Sequence, residues 1–89
     1  MPLAKAIVTA VLAHTYHNFV DPDLGPDELA ELHNTALSFG NSGMDLDELK
    51  SNIATLIGTL RDIVRMDRNN PNFDEELYDL TMQMSEDND

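Results

Sequence analysis

Apolar residues recur every three or four positions along this chain, in four runs separated by proline, glycine and asparagine. The interruptions are Asp21-Pro22-Asp23-Leu24-Gly25-Pro26, Gly40-Asn41-Ser42-Gly43 and Asn69-Asn70-Pro71-Asn72. Recurrence at that spacing marks amphipathic helices, and alternating β-branched runs that would mark strands are almost missing. Helices are predicted at about 2–20, 26–39, 45–67 and 73–84, with an acidic tail over 85–89 that is expected to fray. Start signals agree: Pro26 suits a first helical turn, and Asp45 with Glu48 and Asn72 with Glu75 read as capping boxes. The expected fold is all-α, a compact four-helix bundle formed by residues 1–84 as a single domain.

The segments differ in what they must bury. In the third, Leu46, Leu49, Ile53, Leu56, Ile57, Leu60, Ile63 and Val64 share one arc of about 120°, a core-facing stripe. Asp67 would fall inside that arc, so the helix should end or turn near residues 66–68. The second segment gathers Leu29, Leu32, Ala36, Leu37 and Phe39 opposite Asp27, Glu31, Asn34 and Ser38. A narrower stripe of Phe73, Leu77, Leu80 and Met84 marks the fourth.

The first segment is apolar over more than half its circumference, through Leu3, Ile7, Val8, Val11, Leu12, Tyr16 and Phe19. Beside them lies a strip of small residues, Ala6, Ala10 and Ala13, with His17 next to it. A helix of this kind needs cover nearly all round. Three partner helices can supply it, and so can a second copy of the chain, whose backbone the alanine strip would admit closely. Self-association through Ala6, Ala10, Ala13 and His17, giving a homodimer, is the favoured reading, because a core this small gains from oligomerisation.

Charge sharpens the picture. The chain has 89 residues and a net charge of −12, yet residues 1–20 hold a single charge, Lys5. All 17 carboxylates lie beyond them. Such a surface repels nucleic-acid phosphates and anionic lipid, so direct binding to either is not expected. It suits a basic partner, or serves solubility alone. With no cysteine there is neither disulfide nor thiolate chemistry. Lys5 and the apolar run after it have the rough outline of a signal peptide, but His14, His17 and Asn18 break the run too early for a membrane span. The segment is read as a structural helix, with a cytoplasmic location as the accompanying expectation.

Sets that carry chemistry are sparse. His14 and His17 are spaced so that they can hold a metal when carboxylates or another histidine complete the set, and His33 lies one helix away; no HExxH accompanies them, and His33 falls on the apolar arc of its own helix. Asp21-x-Asp23 and Asp67-x-Asn69 open like calcium loops, but position six is Pro26 or Asn72 and position twelve is Leu32 or Tyr78, where glycine and glutamate are needed. Gly43-Met44-Asp45-Leu46 has a faint likeness to the attachment motif of acyl carrier proteins, yet Leu46 stands where the arm-bearing serine belongs. No glycine-rich phosphate loop or nucleophile elbow is present. No cofactor is expected, and neither is catalysis.

Lys50, Arg61, Arg65 and Arg68 would share about 60° of a regular third helix, either bridging to acids on the second and fourth helices or forming a groove for a partner. On the fourth helix Tyr78 and Met82 project among acids, as apolar anchors in a charged rim would. The leading expectation is therefore a non-catalytic module that binds a basic-surfaced protein. Asp74, Glu75, Glu76, Tyr78, Asp79 and Met82 on the fourth helix and Asp27, Glu28 and Glu31 on the second would form the contact. Carboxylates along helices can imitate phosphates, so occlusion of a nucleic-acid-binding site is the sharpest version. In size and composition alone, the chain is similar to small anti-defence and host-takeover proteins of bacteriophages, anti-CRISPR and anti-restriction inhibitors among them. The alternatives are an assembly subunit that oligomerises through its first helix and a metal- or small-ligand-binding bundle using His14, His17 and His33.

Overall fold

In a computed structural model that describes residues 3–67 and 69–87, four helices form: α1 (Leu3–Asn18), α2 (Pro26–Gly40), α3 (Leu46–Val64) and α4 (Pro71–Asp87). Neighbours alternate in direction. Tyr16, near the end of α1, donates from Oη to the Leu29 carbonyl at the start of α2, 2.9 Å away. A Cβ added to Gly40, at the far end of α2, would lie 3.4 Å from Val8 near the start of α1. Arg65, just past α3, pairs with Glu28 at the start of α2, and Arg61 late in α3 pairs with Asp74 early in α4. His14 late in α1 lies 3.5 Å from Glu76 early in α4, which closes the ring. The result is an up-down-up-down all-α bundle in which α1 also touches α3 across the middle.

The core follows the stripes. Leu49, Ile53, Leu56, Ile57, Leu60 and Val64 of α3 are buried, with Leu46 and Ile63 packed against them. Burying such a side chain contributes about 1.5–3 kcal/mol. α1 contributes Ala4, Ile7, Val8, Val11, Leu12 and Thr15, and Phe19 beyond its end meets Phe73 edge-on with ring centroids 5.0 Å apart. Within one chain the other three helices do not cover α1 on every side. Its aliphatic side chains turn inward, while Ala6 and Ala10 are half-buried and Ala13, Tyr16 and His17 are exposed. Alanine tolerates water at little cost, so a helix rich in it can read as apolar all round and still have a solvent face.

The helix ends differ from expectation in two places. α3 stops at Val64, not near 67, because Arg65 adopts a left-handed conformation with φ 61°. Met66 N–H then reaches the Arg61 carbonyl at 3.0 Å and Arg65 N–H the Asp62 carbonyl at 3.3 Å, a Schellman closure that returns Met66 to the core. α4 begins at Pro71 and is capped by Asn70, whose Oδ1 accepts from Asn72 N–H at 3.1 Å, so the cap lies two residues before the expected one. It also runs to Asp87, past the expected end at Met84. Ser85, assigned above to a frayed tail, is buried and donates to the Thr81 carbonyl at 2.8 Å, while Thr81 donates to that of Leu77 at 2.9 Å. By contrast the predicted cap of α3 forms, with Asp45 Oδ1 accepting from Glu48 N–H at 2.8 Å.

A left-handed arginine is strained by about 1–2 kcal/mol, and its exposed partner contact with Glu28 returns only about 0–1 kcal/mol. Arg65→Gly is therefore expected to raise stability by roughly 0.5–1 kcal/mol. Urea denaturation would register this as a higher midpoint at unchanged slope.

Candidate functional site: an acid-rimmed groove between α3 and α4

The site begins with small residues on α3. Ala54 is exposed, and a Cβ built on Gly58 would meet no atom within 4 Å. One helical turn apart, the two leave a recess in the flank of α3 where longer side chains would have filled the space toward α4. The recess opens into a cleft of about 420 Å³ floored by Ala54, Ile57 and Gly58 and walled by Arg61, Asp74, Glu75, Tyr78 and Asp79. Tyr78 is 44% exposed, a large side chain left standing at the edge of the cleft.

Charge in the cleft is unequal. The Arg61 side chain is only 13% exposed and is engaged by Asp74 across the helix interface. Glu75 and Asp79 are exposed, one turn apart on α4, and have no ion-pair partner among the described residues. An apolar floor, a phenol wall and two free carboxylates thus face solvent together. Glycine inside a helix costs about 0.5–1 kcal/mol relative to alanine. Gly58→Ala is expected to recover that amount, raising the melting temperature by about 4–8 °C per kcal/mol without a steric clash. Circular dichroism melts would check it.

The remaining expected contact residues divide. Glu76 turns to the other side of α4, where its carboxylate lies 3.5 Å from His14 Nε2. Met82 is half-buried against the core and does not stand beside Tyr78 as an exposed anchor. Glu28 is engaged by Arg65, whereas Asp27 and Glu31 are exposed. Glu28 and Glu31 line a second, shallower cleft of about 310 Å³ with Thr59, Asp62, Ile63 and Arg65, on the α2 side of α3. α2 and α4 do not touch among the described residues, so the two acidic sets flank α3 and do not merge into one face.

The basic stripe dissolves with the early end of α3. Arg61 reaches to α4 and Arg65 back to α2, the bridging role given above as one of two readings, and Arg68 lies outside the described residues. Nor do the histidines gather. His33 is exposed, contrary to its expected apolar position, His17 is exposed on α1, and no three metal-binding side chains converge among the described residues. No described helix is long and apolar enough to cross a membrane. What sequence reasoning missed is the floor: Gly58 is visible as a glycine within a helix, but only the placement of α4 shows that the space before it stays open.

Comparison with known protein families, with curated proteins and with solved structures finds no match for this chain.

Proposed function

We propose that this protein is a non-catalytic binding module that docks the α3–α4 groove onto a basic surface of another protein. The observation that supports it is the groove itself, where an exposed Tyr78 and the carboxylates of Glu75 and Asp79, unpaired among the described residues, surround an apolar recess. Aromatic anchors within a charged rim are where binding energy concentrates in protein interfaces. The net charge of −12 would steer basic partners toward this surface and speed their encounter. A partner surface that otherwise holds nucleic acid is the sharpest form of the reading, and the module would then act as an inhibitor by occlusion.

Charge must be separated from position in the test. Glu75→Lys/Asp79→Lys and Asp21→Lys/Asp23→Lys change net charge equally, and all four side chains are exposed. Asp74 is left intact because it holds Arg61. Capture of a basic protein from extract, identified by mass spectrometry, is expected to fall at least about tenfold in the first variant and by far less in the second. Equal losses in both would reduce the acidity to a general field and defeat the groove reading.

A further inference from the structure

The chemistry of the groove selects among basic side chains, an inference that rests on the docking reading above. We infer that the α3–α4 groove receives an arginine side chain from the partner, its methylene stem on Ala54, Ile57 and Gly58 and its guanidinium between Tyr78, Glu75 and Asp79. Three observations converge on that occupant. The recess before Gly58 is open and apolar, so it accepts a straight aliphatic stem and gives no partner to a polar one. Tyr78 presents an exposed aromatic side chain at the wall, on which a planar, weakly hydrated guanidinium can stack. Glu75 and Asp79 supply two carboxylates without cationic partners among the described residues, to which the guanidinium fork can donate in pairs.

The positive charge already in the groove does not oppose this. Arg61 is matched by Asp74 on the same wall, and among the described residues no cation pairs with the two further acids. An ammonium would satisfy the charge but neither stack as well nor bond in a fork, and a neutral aromatic would leave both carboxylates desolvated beside it. The second cleft is a poorer receptor, because Arg65 already occupies Glu28.

The probe is a blocked Gly-Arg-Gly-Arg-Gly peptide titrated into isotope-labelled protein and followed by amide chemical shifts. Saturating shifts are expected at Ala54, Gly58, Tyr78 and Asp79. The lysine version should bind about threefold more weakly, and a version with neutral citrulline should not bind. Gly58→Leu fills the recess and should abolish the arginine-peptide shifts while the helical circular dichroism and melting temperature are retained or raised. Tyr78→Ala, which leaves all charges in place, should weaken binding about threefold. Shifts spread evenly over acidic residues, equal affinity for the lysine peptide, or undiminished binding by Gly58→Leu would each overturn the inference. Its failure is distinct from failure of the docking reading. Capture that depends on Glu75 and Asp79 with no entry of the peptide would sink only the arginine assignment. Entry of the peptide with capture insensitive to those two acids would sink the docking surface and leave the pocket chemistry standing.

Discussion

Phe73→Ala is expected to lower the stability of the fold by about 3–5 kcal/mol. Phe73 heads the fully buried side chains in size, and it sits in the first turns of α4 where it meets Phe19 edge-on. Truncation loses the transfer free energy of the ring, leaves a cavity that rigid neighbours only partly fill, and removes an aromatic pair that adds about 0.5–1.5 kcal/mol. Small domains have only about 5–15 kcal/mol in total, so the variant should be close to unfolding at physiological temperature. Phe19→Ala, at a half-buried position, should cost less. Urea titration followed by circular dichroism would measure both. A loss below about 1 kcal/mol for Phe73→Ala would mean that the α1–α4 junction is not packed as described.

The second large effect is electrostatic. Asp74→Ala would leave the Arg61 guanidinium mostly covered and without its carboxylate. An uncompensated charge in a desolvated place costs several kcal/mol when fully buried; here the 44% exposure of Asp74 admits water and screening, so a loss of about 1–3 kcal/mol is expected. Arg61→Leu/Asp74→Ala should recover much of it, because both charges are then gone and the leucine fits beside Ile57. A double-mutant cycle in thermal denaturation measures the coupling. Additive losses would show that the bridge does not hold α4 against α3. The same cycle bears on the groove, whose wall these two residues form.

How much of this could be read from the chain depends on the residue. The four helices were legible because proline, glycine and asparagine interrupt runs of clear helical period, and the α3 stripe was legible because apolar residues of one size class repeat without exception. Thr81 and Ser85 were not legible as core, since hydroxyls score as polar. Their protons are donated to carbonyls of their own helix, which removes the penalty of burial. The end of α3 was not legible either: arginine is not a residue that the left-handed position favours, and the choice is made by Met66 returning to the core. At the candidate site, the grouping of Asp74, Glu75, Tyr78 and Asp79 followed from helical spacing. The separation of Glu76 depends on where His14 stands, and Met82 depends on core packing around α4; spacing within one helix carries neither fact.

Self-association through Ala6, Ala10, Ala13 and His17 remains the competing proposal for a working face, and it lies on α1, outside the α3–α4 groove. One photocrosslinking experiment sets the two against each other. p-Benzoylphenylalanine is placed at Tyr78 in one variant and at Ala13 in another, both exposed positions. After irradiation in cell extract, crosslinked species are identified by mass spectrometry. The Tyr78 position is predicted to yield a covalent product with a basic protein, attached within an arginine-rich surface of that protein. A partner product from the Ala13 position, with none from Tyr78, would contradict the assignment of the groove as the contact surface.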